Sequence, residues 1–471
     1  MRRVFIAPTS RRDLLRTFGL GGAALALGAC DGEETDTGPN RTLEPSEPWN
    51  GLGAGDDALY PEGIQSGDPT PDGAVLWTRY VGTAALGVVV ATWDDSGWIE
   101  HDEVPVTLAD GGFVHHEIDG LEADQHVAFQ FRDADNLLSP VARFHTAPDP
   151  YNTGRVRFAA FGGCRHQNLP FASMSAAANR GPLDFALWMG DTIYADPPHT
   201  LEGYRATWAE NFVVQGFRDL FAVTPSIAGW DDHEVANNWD QDPPEPEMLA
   251  AGTQAFFEHA PMRRHRSQPD RLWRSFRYGH TVEVFVLDCR GERIFREQYI
   301  SPEQMAWLKQ GLATSTATWK VIVNSVPITN MPGPYDAPIS FDDRWEAYPE
   351  ERAELLDFIT DNDLQGILFI GGDFHQTALT RIEPEGPANR LLEFITGAVS
   401  SNNNLLAPLI QDGEQFPYSD AVWSTTLFEL THFGYARITV VDDEDETVFD
   451  GMIDTSGNII WYEMIRAADQ R

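Results

Sequence analysis

Four short clusters in this 471-residue chain carry side chains that bind cations. The first is Gly162-Gly163-Cys164-Arg165-His166, and the second is Gly190-Asp191-Thr192-Ile193-Tyr194-Ala195-Asp196. The third is Asp231-Asp232-His233-Glu234, followed by Asn237-Asn238, and the fourth is Gly371-Gly372-Asp373-Phe374-His375. Carboxylate oxygens suit hard cations such as calcium, whereas thiolate and phenolate suit a transition metal. Adjacent carboxylates near a core are costly unless a cation pairs with them. Each cluster alone has an ordinary explanation. Gly190-Asp191 also reads as a strand-to-helix turn with a capping Asp, and Asp231–Glu234 as a solvated acidic turn. Cys164 also reads as an inert core thiol or as half of a disulfide with Cys289. Arg165 beside it favours a thiolate, because a neighbouring cation lowers a thiol pKa. Four such clusters in order, each behind an apolar run, point to one metal site.

The elements that must position them follow from periodicity. Val156–Phe161, Phe185–Met189, Ile227–Trp230, Thr281–Leu287, Val321–Ser325 and Gly366–Ile370 are short apolar runs suited to buried strands. Helical patterns lie between them. Ser301-Pro302-Glu303-Gln304 is a capping box with Pro at the first helical position, followed by Met305, Leu308 and Leu312 at helical spacing. Glu350–Asp361 carries Ala353, Leu356 and Phe358-Ile359 on a second amphipathic helix. Strands alternating with helices predict a layered α/β domain over residues 151–471, with ligands gathered at the carboxyl ends of its strands. Asp240–Glu247 reads as a loop because of its three prolines. Residues 60–150 read instead as short strands separated by turns, among them Val75–Arg79, Gly87–Trp93 and His126–Phe131. Val127, Phe129 and Phe131 alternate as one buried face requires, so a β-sandwich fits this stretch.

Composition excludes several classes. The 42% hydrophobic content, with 14 Trp, 27 Phe and 12 Tyr, excludes a mainly disordered chain. The formal net charge of −39 argues against a nucleic-acid-binding surface. Three cysteines cannot form a disulfide framework. Residues 1–29 read as an export address: Arg11-Arg12 precedes an apolar, glycine-rich run too short to span a bilayer, and the pair resembles a twin-arginine (Tat) signal. Leu27-Gly28-Ala29-Cys30 resembles a lipobox, whose Cys is acylated. The expected location is therefore the outer side of the cytoplasmic membrane, by a lipid anchor at Cys30, after passage through the Tat machinery. Residues 30–59, acidic and rich in Gly, Pro and Thr, read as a flexible tether.

The ordered motifs resemble the PhoD-type alkaline phosphatases of the metallophosphoesterase superfamily, from about Gly63 to the region of Asp454. Gly163-Cys164-Arg165, Gly190-Asp191 with Tyr194, Asp231-Asp232-His233-Glu234 and Gly372-Asp373 with His375 match that family's phosphatase motifs in order. Gly63–Asp72 with Val75–Arg79 is similar to the start of its N-terminal sandwich, and Gln304, Trp307-Leu308 and Trp319–Ile322 resemble further positions. Cys289 and Phe374-His375-Gln376 depart from the usual pattern. The resemblance implies an α/β layered metallophosphoesterase-type sandwich with an N-terminal all-β immunoglobulin-like sandwich domain. It implies hydrolysis of a small phosphate ester with Fe3+ and Ca2+. Cys164, Asp191, Tyr194, Asp232, Asn238, Asp373 and His375 are then the metal-ligand candidates, with Asp191 bridging and His375 on the iron. Arg165 is the phosphate clamp, and His233 an acid or phosphate partner more than a ligand. The rival functions are a phospholipase D-like phosphodiesterase and a degenerate lipoprotein that binds without catalysis.

Overall fold

The structure is a computed structural model. It describes residues 45–94, 96–166, 170–196, 200–239, 245–330, 341–375, 377–383, 385–401, 422–424, 434–441, 446–454 and 463–467. The export signal, Cys30 and Gln376 lie outside the described residues. Among the described residues no helix is long and apolar enough to cross a membrane.

The first part of the chain is built of strands: β1 (Ile64–Thr70), β2 (Gly73–Arg79), β3 (Leu86–Trp93), β4 (Trp98–Glu100), β5 (Val104–Pro105), β6 (Phe113–Asp119), β7 (His126–Asp133) and β8 (Ala142–His145). They form two layers, β1-β2-β6 and β4-β3-β7-β8, with β5 paired to β3. Ile64, Leu76 and Val114 of the first layer meet Val88, Val127, Phe129, Phe131 and Phe144 of the second. The alternation of Val127, Phe129 and Phe131 is the period-2 signature of that buried face. The opposite face is covered as well. Trp49 packs on Val89, Ala91 and Ala128, while Gln130 accepts the Leu52 N–H and donates to Gly53 O. The stretch read as tether is thus held against β3 and β7 from Trp49 onward, because an apolar Trp and a buried amide offer it partners.

The layered region follows. Its strands are β9 (Val156–Phe161), β10 (Phe185–Met189), β11 (Ser226–Gly229), β12 (Arg274–Tyr278), β13 (Val282–Val286), β14 (Trp319–Asn324), β15 (Ile367–Gly371), β16 (Ala378–Arg381), β17 (Leu392–Ile395), β18 (Val422–Ser424), β19 (Gly434–Val441), β20 (Glu446–Asp454) and β21 (Glu463–Arg466). Its helices are α1 (Ala172–Asn179), α2 (Leu201–Phe212), α3 (Gln215–Phe221), α4 (Pro246–His259), α5 (Pro302–Thr314) and α6 (Pro349–Asp361). One sheet runs β21-β20-β19-β9-β10-β11-β1-β2-β6 and the other β12-β13-β14-β15-β17-β16-β18. β9, β10 and β11 are mutually parallel, as are β13, β14, β15 and β17. Val282, Val284 and Val286 join one core with Phe158 and Leu187 of the first sheet, while Phe285, Ile322 and Phe369 join another with Met305, Leu308 and Leu312 of α5 and Leu355, Leu356 and Ile359 of α6. Strands buried on both faces read as continuous apolar runs, which is how they are legible in sequence.

β1, β2 and β6 extend the sheet that carries β9–β11, with Gly67 registered against Ser226. Of the strands of residues 60–150, β1, β2 and β6 are therefore shared with the α/β region, while β3, β4, β5, β7 and β8 form a sheet of their own. Two local expectations change. Pro246 and Glu247, expected in a loop, open α4, with Pro in the first helical turn where no intrahelical donor is needed. Ala353 is exposed, and the buried face of α6 is Arg352, Leu355, Leu356 and Ile359.

Ser301 caps α5 by accepting the Gln304 N–H, but the Gln304 side chain does not return the bond. It turns inward to accept the Asp288 N–H at 2.8 Å and to donate to Asp288 O at 3.1 Å, tying α5 to the loop after β13.

Trp77 of β2 is fully buried, packs edge-on against Phe212 of α2 and donates its Nε1–H to Glu258 O of α4 at 2.8 Å. Trp77→Ala is expected to cost about 3–5 kcal/mol in denaturant unfolding. A loss below about 1 kcal/mol would show that the join between β2 and the helices contributes little.

Candidate metal centre

The four clusters converge because three of them sit on turns cross-linked by backbone bonds. Gly190 has φ +90°, and a Cβ there would lie 2.4 Å from the Asp231 N. Glycine lets the turns after β10 and β11 run side by side. The Glu234 carboxylate, fully buried, accepts the N–H groups of Asp231 at 2.9 Å, Asp191 at 3.1 Å and Thr192 at 2.6 Å. The Cys164 N–H donates to Asp191 O at 2.8 Å, and Asn211 of α2 donates to both Cys164 O and Thr192 O. Ser401 N–H donates to Gly163 O, and Ser400 Oγ to Arg165 O. Asp191, Asn238, Asp373 and His375 all hold φ between 50° and 60°. Left-handed backbone in non-glycine residues clusters where a site over-determines the conformation.

The side chains then meet. The Tyr194 O–H donates to Asp191 Oδ2 at 2.9 Å and lies 2.8 Å from His375 Nε2, itself 3.5 Å from Asp191 Oδ2. Asp191, Asp232 and His233 each place one donor atom within 4.8 Å of the others, and so do Asp231, Asp232 and Asp373. Asp232 Oδ1 accepts the His233 N–H and Oδ2 the Asn238 N–H. His233 Nδ1 bonds Asp196 Oδ2, leaving Nε2 for other partners. The Arg165 guanidinium carbon stands 5.2 Å from the centre of the Tyr194 ring. Cys164 is buried and belongs to neither cation-binding group, its backbone being what ties it to Asp191. Cys164 and Cys289 are both free thiols, so the disulfide alternative is not realised. Cys289 instead donates to Asn324 Oδ1 at 3.1 Å.

Charge in this site is unbalanced. Burial, opposed by Arg290, together with Asp232 and Asp191 pushes Asp231 up to about 7. Burial, Asp191 and Asp343 likewise raise Asp232 to about 7. Burial and Asp191 raise Glu234 to about 8, and burial with the surrounding aspartates holds Asp373 well above the carboxylate range. Asp191 goes the other way: burial opposes its charge, but His233, His375 and Tyr194 outweigh it. His233 resists burial and is pushed up to about 11 by Asp191, Asp232 and Asp196. Burial first, then neighbouring carboxylates, raise the Cys164 thiol and Tyr194 phenol far above their usual values. Asp191 Oδ1 and Asp231 Oδ2 are buried without a hydrogen bond. Unrelieved carboxylates with unbonded oxygens are what a bound cation would satisfy.

Sequence reading missed the supporting residues. Glu234 was visible in its motif but not as a staple of two turns. Asn211, Arg290 and Asp343 carry no local signal, since their roles come from elements distant in sequence.

Two sheets with clustered carboxylate and imidazole side chains at their strand ends define a metallophosphoesterase-like fold. A solved structure of PhoD superposes with a TM-score of 0.72 at 24% identity, covering 87% of this chain and 89% of that one. A purple acid phosphatase from yellow lupin (Lupinus luteus) seeds superposes with a TM-score of 0.59 at 14% identity, covering 86% of this chain and 75% of that one. Residues 158–449 match the PhoD-like phosphatase family, and residues 53–148 match the PhoD-like phosphatase N-terminal domain. The chain belongs to the PhoD-like phosphatase family and is a phosphoric ester hydrolase. It is 27% identical over 406 residues, 73% of this chain and 69% of the relative, to alkaline phosphatase D of Bacillus subtilis (strain 168).

Glu234→Gln turns an amide N–H toward backbone N–H groups that need an acceptor. Hydrolysis of a chromogenic phosphate ester is expected to fall by at least about 10-fold with the circular dichroism spectrum retained. Unchanged activity would show that the turns hold their geometry without this carboxylate.

Proposed function

We propose that this protein is an exported, metal-dependent alkaline phosphatase of the PhoD type, acting on small phosphate esters with Fe3+ and Ca2+. The observation that carries the reading is the convergence of Asp191, Tyr194, Asp232, His233, Asp373 and His375 from three strand-end turns, with carboxylate oxygens left unbonded. Cys164, Tyr194, Asp191 and His375 would hold the iron, since thiolate and phenolate are strong donors to a ferric ion. Asp191, Asp232, Asp373 and Asn238 would hold calcium through oxygen. Bound there, the cations supply the positive field that polarises phosphoryl oxygens.

The chain's own residues do the rest. Arg165 forms no ion pair among the described residues, so its guanidinium is available to bind phosphoryl oxygens in bidentate fashion. The Tyr194 ring beneath it limits its orientation. His233, oriented through Nδ1 by Asp196, holds a proton at Nε2 for the leaving oxygen. The Asp196 contact supports His233 as a proton donor or phosphate partner, and its grouping with Asp191 and Asp232 also suits a ligand. The strands of residues 60–150 are read as an immunoglobulin-like domain, supported by the two layers that enclose Leu76, Val88 and Phe129. The intact donor set favours catalysis over a purely binding lipoprotein.

A chelator selective for calcium is expected to abolish hydrolysis of a chromogenic phosphomonoester, with added calcium restoring it. The purified protein is expected to absorb in the visible range. Tyr194→Phe should shift or weaken that band, and Cys164→Ala should remove most of the iron. A colourless, iron-free, chelator-resistant enzyme would refute the assignment. The diester assay run alongside decides between phosphatase and phosphodiesterase action.

For location, Cys30→Ser is expected to be released in soluble form or left unprocessed. A wild-type protein that incorporates no fatty acid and stays soluble would rule out the anchor.

A further inference from the structure

We propose that Arg290 is a positioning residue for the cation pocket of Asp231, Asp232 and Asp373: it ties one oxygen of Asp231 and leaves the other for the cation. This rests on the metal-dependent reading above and adds Asp231 to the oxygens it assigns to calcium. Arg290 lies four residues beyond the end of β13 and is fully buried. Its Nε donates to Asp231 Oδ1 at 2.6 Å and its Nη2 to Asp343 Oδ2 at 2.8 Å, while Nη1 also pairs with Asp343. Its Nη2 stands 3.9 Å from Asp232 Oδ1.

The guanidinium is fixed from both sides. Asp343, fully buried, is held in turn by Arg293 Nη1 at 2.7 Å. Asp288 Oδ1 accepts the Arg290 N–H at 3.1 Å, the Gly291 N–H at 2.7 Å and the Trp230 Nε1–H at 2.8 Å, so the backbone that carries Arg290 is anchored to the residue preceding Asp231. With Oδ1 bound to a fixed cation, the Asp231 carboxylate has little freedom left, and its Oδ2 is buried without a hydrogen bond. One oxygen from each of Asp231, Asp232 and Asp373 lies within 4.8 Å of the others. Groups that bond a ligand's far oxygen orient it and tune its affinity. A planar fork meets Asp343 with two nitrogens while its Nε bonds Asp231, a fixed geometry that a point-like ammonium does not reproduce.

Two effects of Arg290 oppose each other. Its positive charge repels a cation in the pocket, and its geometry preorganises the ligand. The geometric effect outweighs the charge.

The full chain, stripped of divalent cations, is titrated with calcium by calorimetry, with iron content, visible absorption and thermal midpoint measured on the same samples. Arg290→Met is expected to weaken calcium binding by roughly 10–100-fold while iron and its absorption are retained. Arg290→Lys, which keeps the charge without the fork, should recover only part of the loss. Asp343→Asn keeps Arg290 but loosens it, and should weaken binding in the same direction by less. It decides the matter if Arg290→Met does not fold. Wild-type affinity in Arg290→Met or Asp343→Asn, full recovery in Arg290→Lys, or tighter calcium binding in Arg290→Met would overturn the proposal. If the wild-type protein itself binds no calcium, the metal reading falls with it, so the two failures are distinguishable.

Discussion

Buried negative charge at the ends of parallel strands is the constraint around which this protein is organised. Asp191, Asp231, Asp232, Glu234 and Asp343 are all buried within a few residues of β10, β11 or the turn before α6. Such a set is unstable unless every oxygen finds a donor or a cation. Three kinds of partner meet that demand. Backbone N–H groups serve Glu234 and Asp232, guanidinium groups serve Asp231 and Asp343, and the phenol and imidazole of Tyr194 and His375 serve Asp191. Asp191 Oδ1 and Asp231 Oδ2 remain buried without a hydrogen bond, an incomplete neutralisation that a cation would complete.

The same logic explains why the turns are conformationally unusual. Asp191, Asp373 and His375 hold left-handed backbone, which costs about 1–3 kcal/mol each unless surrounding bonds enforce it. Glu234 supplies such a bond to the Asp191 N–H, and Asn211 and the Ser400-Ser401 segment brace the neighbouring turn of Gly163–Arg165. The site is thus built from cross-links between loops rather than from any one motif. The acidic surface implied by the net charge of −39 adds to the need for a local positive field. At the site itself the Arg165 guanidinium stands over the Tyr194 ring.

The N-terminal strands share in this arrangement by continuing the sheet that bears β10 and β11. Trp77 of β2 packs with Phe212 of α2, and Arg274 of β12 pairs with Asp68 of β1 at 2.8 Å. α2 also provides Asn211, so the helix that holds the N-terminal layer is the one that fastens Cys164 and Thr192. This continuity makes β1, β2 and β6 part of the sheet that carries the site.

The sequence by itself determined the strands β9 and β10 to the residue, because runs buried on both faces are mainly apolar, Arg157 being the one charged residue in them. It determined the cap of α5, because Ser before Pro at that spacing satisfies local donors. It also marked four polar clusters behind apolar runs, of which the second, third and fourth supply the carboxylates that meet in the structure. Only the tertiary structure decided that β1, β2 and β6 join the β9–β11 sheet, since strand pairing across 150 residues leaves no local trace. Only it decided that Trp49 is packed, that Gln304 turns away from its own helix end, and that Ala353 faces solvent. The supporting residues Asn211, Arg290 and Asp343 belong to the same category. Locally each is an ordinary polar residue, and its role exists only once the fold removes it from water and places a carboxylate or carbonyl in front of it.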